Sequence, residues 1–307
     1  MDAAPSVEPP LPSAEAAALR SFPYVDPAIA VRESANIADK ARFPRMSPTT
    51  CKTWETPVMA DNVISFPPLN ATCGNCRWSK FCVARVLEPE TRSQAAKNLL
   101  CSGPLRRGAH LFRQGDDLKS LYIVRSGSVK AYIDSEDGCE QTIAFHFPGD
   151  LLGFDAIAGE VHQSSAVALE TTAVCSIPYA RLTAVALEVP ALWNELLRAA
   201  AMQLMDKQSH ALLLGQKSAQ ARFATFLLFM SNRFAARGLS RSEFNLSMSR
   251  QEIANYLAVA VETISRLFTE LQRRGVLEVD RRFIRIRSLE GLNELAHDGR
   301  ALGVSHA

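Results

Sequence analysis

Between about residue 105 and residue 185 the chain consists of short apolar runs cut by Gly115, Gly127, Gly138, Gly149 and Gly153. Glycine supplies the positive-φ turns that other residues adopt only with strain. Leu121-Tyr122-Ile123-Val124, the alternation Val129/Ala131/Ile133 and Thr142-Ile143-Ala144-Phe145 read as the strands between those turns. Short strands spaced by roughly 8–12 residues build a sandwich, a jelly roll or a barrel.

The flanks have a different texture. Eleven of the sixteen prolines fall before residue 70, in stretches rich in Ala, Pro and Ser. Residues 1–70 read as a largely disordered extension. The remainder, in a chain of 307 residues, suffices for two domains. No apolar run approaches the roughly 20 residues that span a bilayer. The start, Met1-Asp2-Ala3-Ala4-Pro5, lacks a cationic region followed by an apolar one. These features predict a cytoplasmic protein with no membrane partner. In that reducing compartment the seven cysteines point to metal binding or catalysis before a disulfide framework.

Pro190 opens a helical stretch. Trp193, Leu197, Ala200, Leu204, Lys207, Ala211 and Leu214 follow a 4-3-4-3-4-3 spacing, a coiled-coil seam with one charge in it. A helix packed on its own barrel and a two-helix dimer seam both satisfy this pattern.

The formal net charge of +2 hides an uneven distribution. From Gly215 to Arg287 there are 13 Lys/Arg and 6 Asp/Glu, so the rest of the chain is net negative. A basic C-terminal domain is the electrostatic footprint of a DNA binder. Within it, Ser249-Arg250-Gln251-Glu252 has the form of a capping box. Ile253, Ala254 and Leu257 give the first helix an apolar face. Ala258-Val259-Ala260 is a short connection, and a second helix begins at Val261. Gly275–Val279 and Phe283–Arg287 read as a small hairpin, completing a helix–turn–helix with a wing. Glu262, Ser265 and Arg266 share one face of the second helix. Arg266 can donate to guanine O6 and N7, Glu262 can accept from cytosine N4, and Ser265 can serve a base edge or phosphate. An intrahelical Glu262–Arg266 ion pair is compatible with that role.

Cys73-Gly74-Asn75-Cys76 followed by Cys82 forms a C-x2-C-x5-C run. Three thiols within ten residues call for a fourth ligand among Cys51, Cys101, Cys139 and Cys175. Thiolates select zinc or an iron–sulfur centre, and spacing alone does not separate the two.

These motifs resemble the cyclic AMP receptor/FNR superfamily of bacterial transcription factors, over roughly residues 73–290. Ile253–Leu257 and Val261–Arg266 are similar to the FNR branch, as are Gly149–Ile157 and Leu169–Thr171 leading to Val174-Cys175-Ser176-Ile177-Pro178. The resemblance implies an α+β protein: an N-terminal β-roll (jelly-roll) sensor domain, a long dimerisation helix and a C-terminal winged helix–turn–helix. The implied division is 71–104 cysteine segment with a short helix, 105–188 β-roll, 189–215 dimerisation helix, 216–290 winged helix–turn–helix and 291–307 tail. It assigns the fourth ligand to Cys175 and a [4Fe–4S] cluster to Cys73, Cys76, Cys82 and Cys175. It leaves Cys51, Cys101 and Cys139 as unligated thiols. It gives Glu262, Ser265 and Arg266 the reading of TTGAT-type half-sites, and makes double-stranded DNA and RNA polymerase the partners.

The chain it implies is not an enzyme but an oxygen-responsive regulator of anaerobic metabolism. It is a homodimer when the cluster is bound, joined along Trp193, Leu197, Ala200, Leu204, Lys207 and Ala211. Three positions depart from the family pattern: Ala258 replaces a glycine common in the turn, Ala260 a Thr or Ser cap, and Arg77 a small residue after the second cysteine. Cyclic nucleotide binding is not expected, because Phe154 follows Gly153 and Gln163–Val167 offers no arginine for a phosphate. The alternatives are a zinc-stabilised or ligand-gated regulator of the same superfamily and, less favoured, an iron–sulfur redox enzyme.

Overall fold

The computed structural model describes residues 76–78, 80–86, 100–135 and 138–297, all within one compact unit, Cys51–Ala307. The 1–70 extension and Cys73 lie outside the described residues.

Eight strands, numbered in chain order, form two four-stranded antiparallel sheets. One has the order β1 (Leu100–Leu105), β8 (Thr172–Pro178), β3 (Ser120–Ser126), β6 (Leu151–Leu152). The other has β2 (His110–Phe112), β7 (Ser165–Ala168), β4 (Val129–Asp134), β5 (Glu140–His146). Strands distant in sequence are neighbours, as the jelly-roll expectation requires. Gly127 lets the chain cross from β3 to β4. Its φ is +77°, and a Cβ there would stand 2.5 Å from both Thr171 O and Thr172 Oγ1, so only glycine fits. Leu121, Val124, Val129, Leu152 and Ala166 are buried in the roll.

Helix α1 (Tyr179–Glu188) leaves the roll, and Pro190 at the first turn starts α2 (Pro190–Gln216). Only Leu192, Leu196 and Leu213 of α2 are buried. At roughly 1.5 Å per residue such a helix is about 40 Å long, so most of its surface has no cover from the described residues.

The C-terminal domain contains α3 (Ala219–Ala236), β9 (Glu243–Asn245), α4 (Arg250–Tyr256) and α5 (Val261–Arg273). It continues with β10 (Leu277–Asp280), β11 (Phe283–Ile286) and α6 (Leu289–His297), and β10, β11 and β9 form one sheet. Helix α6 begins two residues before the stretch expected to be a tail, 291–307, and runs into it. Its Leu292, Leu295 and Ala296 are buried, and it packs against α3. Phe145, Phe147 and Leu169 of the roll share one apolar cluster with Phe226, Met230, Phe244 and Leu257 of this domain. Asn255 at the end of α4 adds polar ties to β5: it accepts from Thr142 N at 2.6 Å and donates to Glu140 O at 2.5 Å. Among the described residues no helix is long and apolar enough to cross a membrane.

Candidate DNA-reading helix and cysteine site

Ser249 caps α4 reciprocally. Glu252 N donates to Ser249 Oγ at 3.2 Å, and Ser249 N donates to the Glu252 carboxylate at 2.5 Å. The chain then turns through Ala258 at φ +51°, a left-handed conformation that costs a non-glycine residue roughly 1 kcal/mol. Ala260 stands at the cap of α5 with no side-chain hydrogen bond. Both departures from the family pattern therefore fall where the backbone asks for the residue that is missing.

Ile264, Phe268 and Leu271 bury one side of α5. Glu262 and Arg266 are exposed on the other, and Ser265 is half-buried beside them. Among the described residues neither Glu262 nor Arg266 makes an ion pair, so the intrahelical pair is not formed. Several of the charges nearby pair within the domain. Glu270 takes Arg273 at 2.9 Å and Arg274 at 2.6 Å, and these guanidinium hydrogen bonds hold its carboxyl down at about 2. Arg285 pairs with Glu243 and Glu278, and Arg287 with Glu278. Arg222 donates to the carbonyls of Leu214, Lys217 and Leu257. The acids of the domain are largely taken up in these pairs, so the net excess of Lys and Arg stands, and the start of α5 keeps its functional groups unspent.

Cys76 and Cys82 bracket a tight turn in which Phe81 N and Cys82 N both donate to Trp78 O, at 2.9 and 3.2 Å. A 3₁₀ turn, Val83–Val86, follows. It is fastened to α2 by Arg85, whose guanidinium grips both carboxylate oxygens of Glu195 at 2.8 Å. Cys175 sits on β8, opposite Ile123 of β3 and Cys101 of β1. Cys76, Cys82 and Cys175 are all half-buried. Cys82 and Cys175 pack against one apolar cluster: Val83, Leu121, Ile123, Leu151, Leu182, Leu192 and Leu196. Among the described residues no three metal-ligating side chains gather into one site, and Cys73 lies outside them. Cys139, expected to be an unligated thiol, is disulfide-bonded.

Of the α2 seam, Trp193, Leu197, Leu204, Lys207 and Ala211 are exposed and Ala200 is half-buried. Met205 and Leu212, also exposed, widen the strip. A strict heptad template passes over them because it keeps only two positions in seven.

The solved structure of FixK2 from Bradyrhizobium japonicum resembles this chain with a TM-score of 0.60 and 31% identity, over 64% of this chain and 98% of that one. Residues 104–188 match the cyclic nucleotide-binding domain family and residues 221–295 the Crp-like helix-turn-helix domain family. The fumarate and nitrate reduction regulatory protein of Vibrio cholerae is 42% identical over 224 residues, 73% of this chain and 90% of that relative. This chain belongs to the CRP/FNR family. The transcriptional activator protein Anr of Pseudomonas protegens is 43% identical over 216 residues, covering 70% of this chain and 88% of its own. As a CRP/FNR member the chain is a DNA-binding transcription regulator, with α5 as the second helix of its helix–turn–helix.

Proposed function

We propose that this regulator responds to oxygen through a [4Fe–4S] cluster held by Cys73, Cys76, Cys82 and Cys175. The observation that carries the reading is the meeting of Cys82 and Cys175, 93 positions apart in sequence, on one apolar cluster that also contains Leu192 and Leu196 of α2. Soft thiol donors at a largely apolar surface suit an iron–sulfur centre. When bound, the cluster supplies a centre that oxygen attacks.

The rest of the response belongs to the chain's own residues. Cys82 carries Val83 into the core, and Arg85 clamps Glu195. Holding the 76–86 segment on the roll therefore steadies the first turns of α2. That favours a two-fold pairing along Trp193, Leu197, Ala200, Leu204 and Ala211, against the repulsion of two Lys207 side chains. Paired α2 helices set two α5 helices about one DNA turn apart, with Glu262, Ser265 and Arg266 facing TTGAT-type half-sites. RNA polymerase is the further partner.

The test is DNA affinity with and without air, on a duplex carrying two such half-sites. Tight binding without oxygen and at least about tenfold weaker binding after exposure to air supports the reading. Equal affinity in both conditions contradicts it.

A further inference from the structure

The turn Phe147–Asp150, between β5 and β6, touches two parts of the molecule at once. It is itself clipped to β3: Gly149 N donates to Val124 O at 2.8 Å and Val124 N to Asp150 O at 3.0 Å. On one side lies Phe81, the neighbour of Cys82. A Cβ placed on Gly149 would stand 2.8 Å from the Phe81 Cβ, so the two residues are in direct contact only because position 149 is glycine. On the other side lies α3 of the DNA-binding domain. The Asp150 carboxylate takes a hydrogen bond from Arg233 and another from Arg237 at 2.7 Å. Arg237 Nε also donates to Pro148 O at 2.9 Å. Both guanidinium groups lie over the Phe147 ring, at 5.6 and 5.8 Å. The side chains of Asp150, Arg233 and Arg237 are 17, 23 and 8% exposed, so this is not a solvated surface pair. Helix α3 in turn meets the DNA-reading helix through Phe223 and Phe268, both buried, with ring centroids 4.7 Å apart.

We infer that Asp150 is a positioning residue linking the cysteine segment to the DNA-reading helix, through Phe81–Gly149 on one side and Arg233/Arg237 on the other. The contacts run unbroken from Cys82 to α5 within one protomer through Asp150 and Arg237, beside a second tie from Arg233 to Asp206 of α2 at 3.7 Å. A single protomer can thereby bias its reading helix, separately from dimerisation. The inference takes its meaning from the proposed cluster, since it names how the segment carrying Cys76 and Cys82 is heard by α5.

Contiguity alone does not establish coupling; a double-mutant cycle does. The full chain and its variants Phe81→Ala, Asp150→Asn and the double are assayed for affinity to the two-half-site duplex, without oxygen and after air. Phe81→Ala with Arg233→Gln forms a second cycle, in case Asp150→Asn does not fold. Phe81 and Asp150 are expected to couple by at least about fivefold in the dissociation constant, the double variant being little worse than the worse single one. Effects that simply multiply in both cycles overturn the inference, as do single variants that bind like the parent chain. A purely structural role weakens folding without producing coupling. Iron measured on the same preparations keeps the two ideas apart: lack of iron defeats the cluster proposal while the cycle still reads the link.

Discussion

Ala258 and Ala260 bracket the turn of the DNA-reading motif, and each is the wrong residue for its backbone. At φ +51° Ala258 carries left-handed strain, and the Ala260 cap leaves the first amides of α5 without a side-chain acceptor. Ala258→Gly relieves that strain at some entropic cost, for a net gain of about 0.5 kcal/mol. Ala260→Ser adds about 1 kcal/mol. Both appear as a raised urea midpoint with DNA sequence preference unchanged. The two positions were legible as departures from the family pattern, but the backbone angle that makes Ala258 costly was not. Arg266→Ala is expected to lose roughly 1–3 kcal/mol of discrimination at one base pair, read by comparing dissociation constants for duplexes changed one pair at a time. His146 gives a pH test. Burial holds the His146 imidazole down at about 4; Asp150 and Asp155 oppose this, while Arg233 and Lys207 reinforce it. It is half-buried and lines an open cleft of about 530 Å³. Between the ordinary value of about 6.5 and 4 the unfolded chain takes a proton that the folded chain refuses. Stability is therefore expected to fall as pH drops through that window, and His146→Gln to flatten the slope in urea melts at stepped pH.

At the scale of elements, strong periodicity was readable and context-dependent packing was not. The strands at Leu121–Val124 and Thr142–Phe145, the helix after Pro190 and the pair of helices after Ser249 all announce themselves through turns, caps and spacing. Helix α3 does not. Its run Phe223-Ala224-Thr225-Phe226-Leu227-Leu228-Phe229-Met230 has apolar residues on most sides, because it meets the roll, α5 and α6 together. Helix α6 is short and follows directly on the wing, so the C-terminal domain reads as ending too soon. The α2 seam is the element most open to test. Its exposed Trp193, Leu197 and Leu204 form a strip that includes Lys207, with Met205 and Leu212 flanking it. Lys207→Ala removes a like-charge contact between paired helices, so it is expected to shift the air-exposed chain toward dimer in sedimentation velocity. A profile identical to that of the parent chain contradicts the pairing.

For the whole molecule, Cys82 and Cys175 are far apart in sequence, and the jelly-roll pairing brings them to one apolar cluster. Strand β8 pairs with β3 and presents Cys175 beside Ile123, while the 3₁₀ turn after Cys82 buries Val83 in the same cluster. Spacing supplied the candidates, and the resemblance singled out Cys175. Neither revealed that Arg85 ties the cysteine segment to α2 or that Gly149 and Asp150 lie between that segment and α3, because long-range contacts leave no local pattern. The central claim is that the thiols hold an oxygen-labile cluster. The most direct measurement is iron and acid-labile sulfide per protomer in protein purified without oxygen, with a visible spectrum before and after air. About four of each are expected, with colour that fades in air and loss of both in Cys175→Ser. A colourless protein carrying stoichiometric zinc contradicts it.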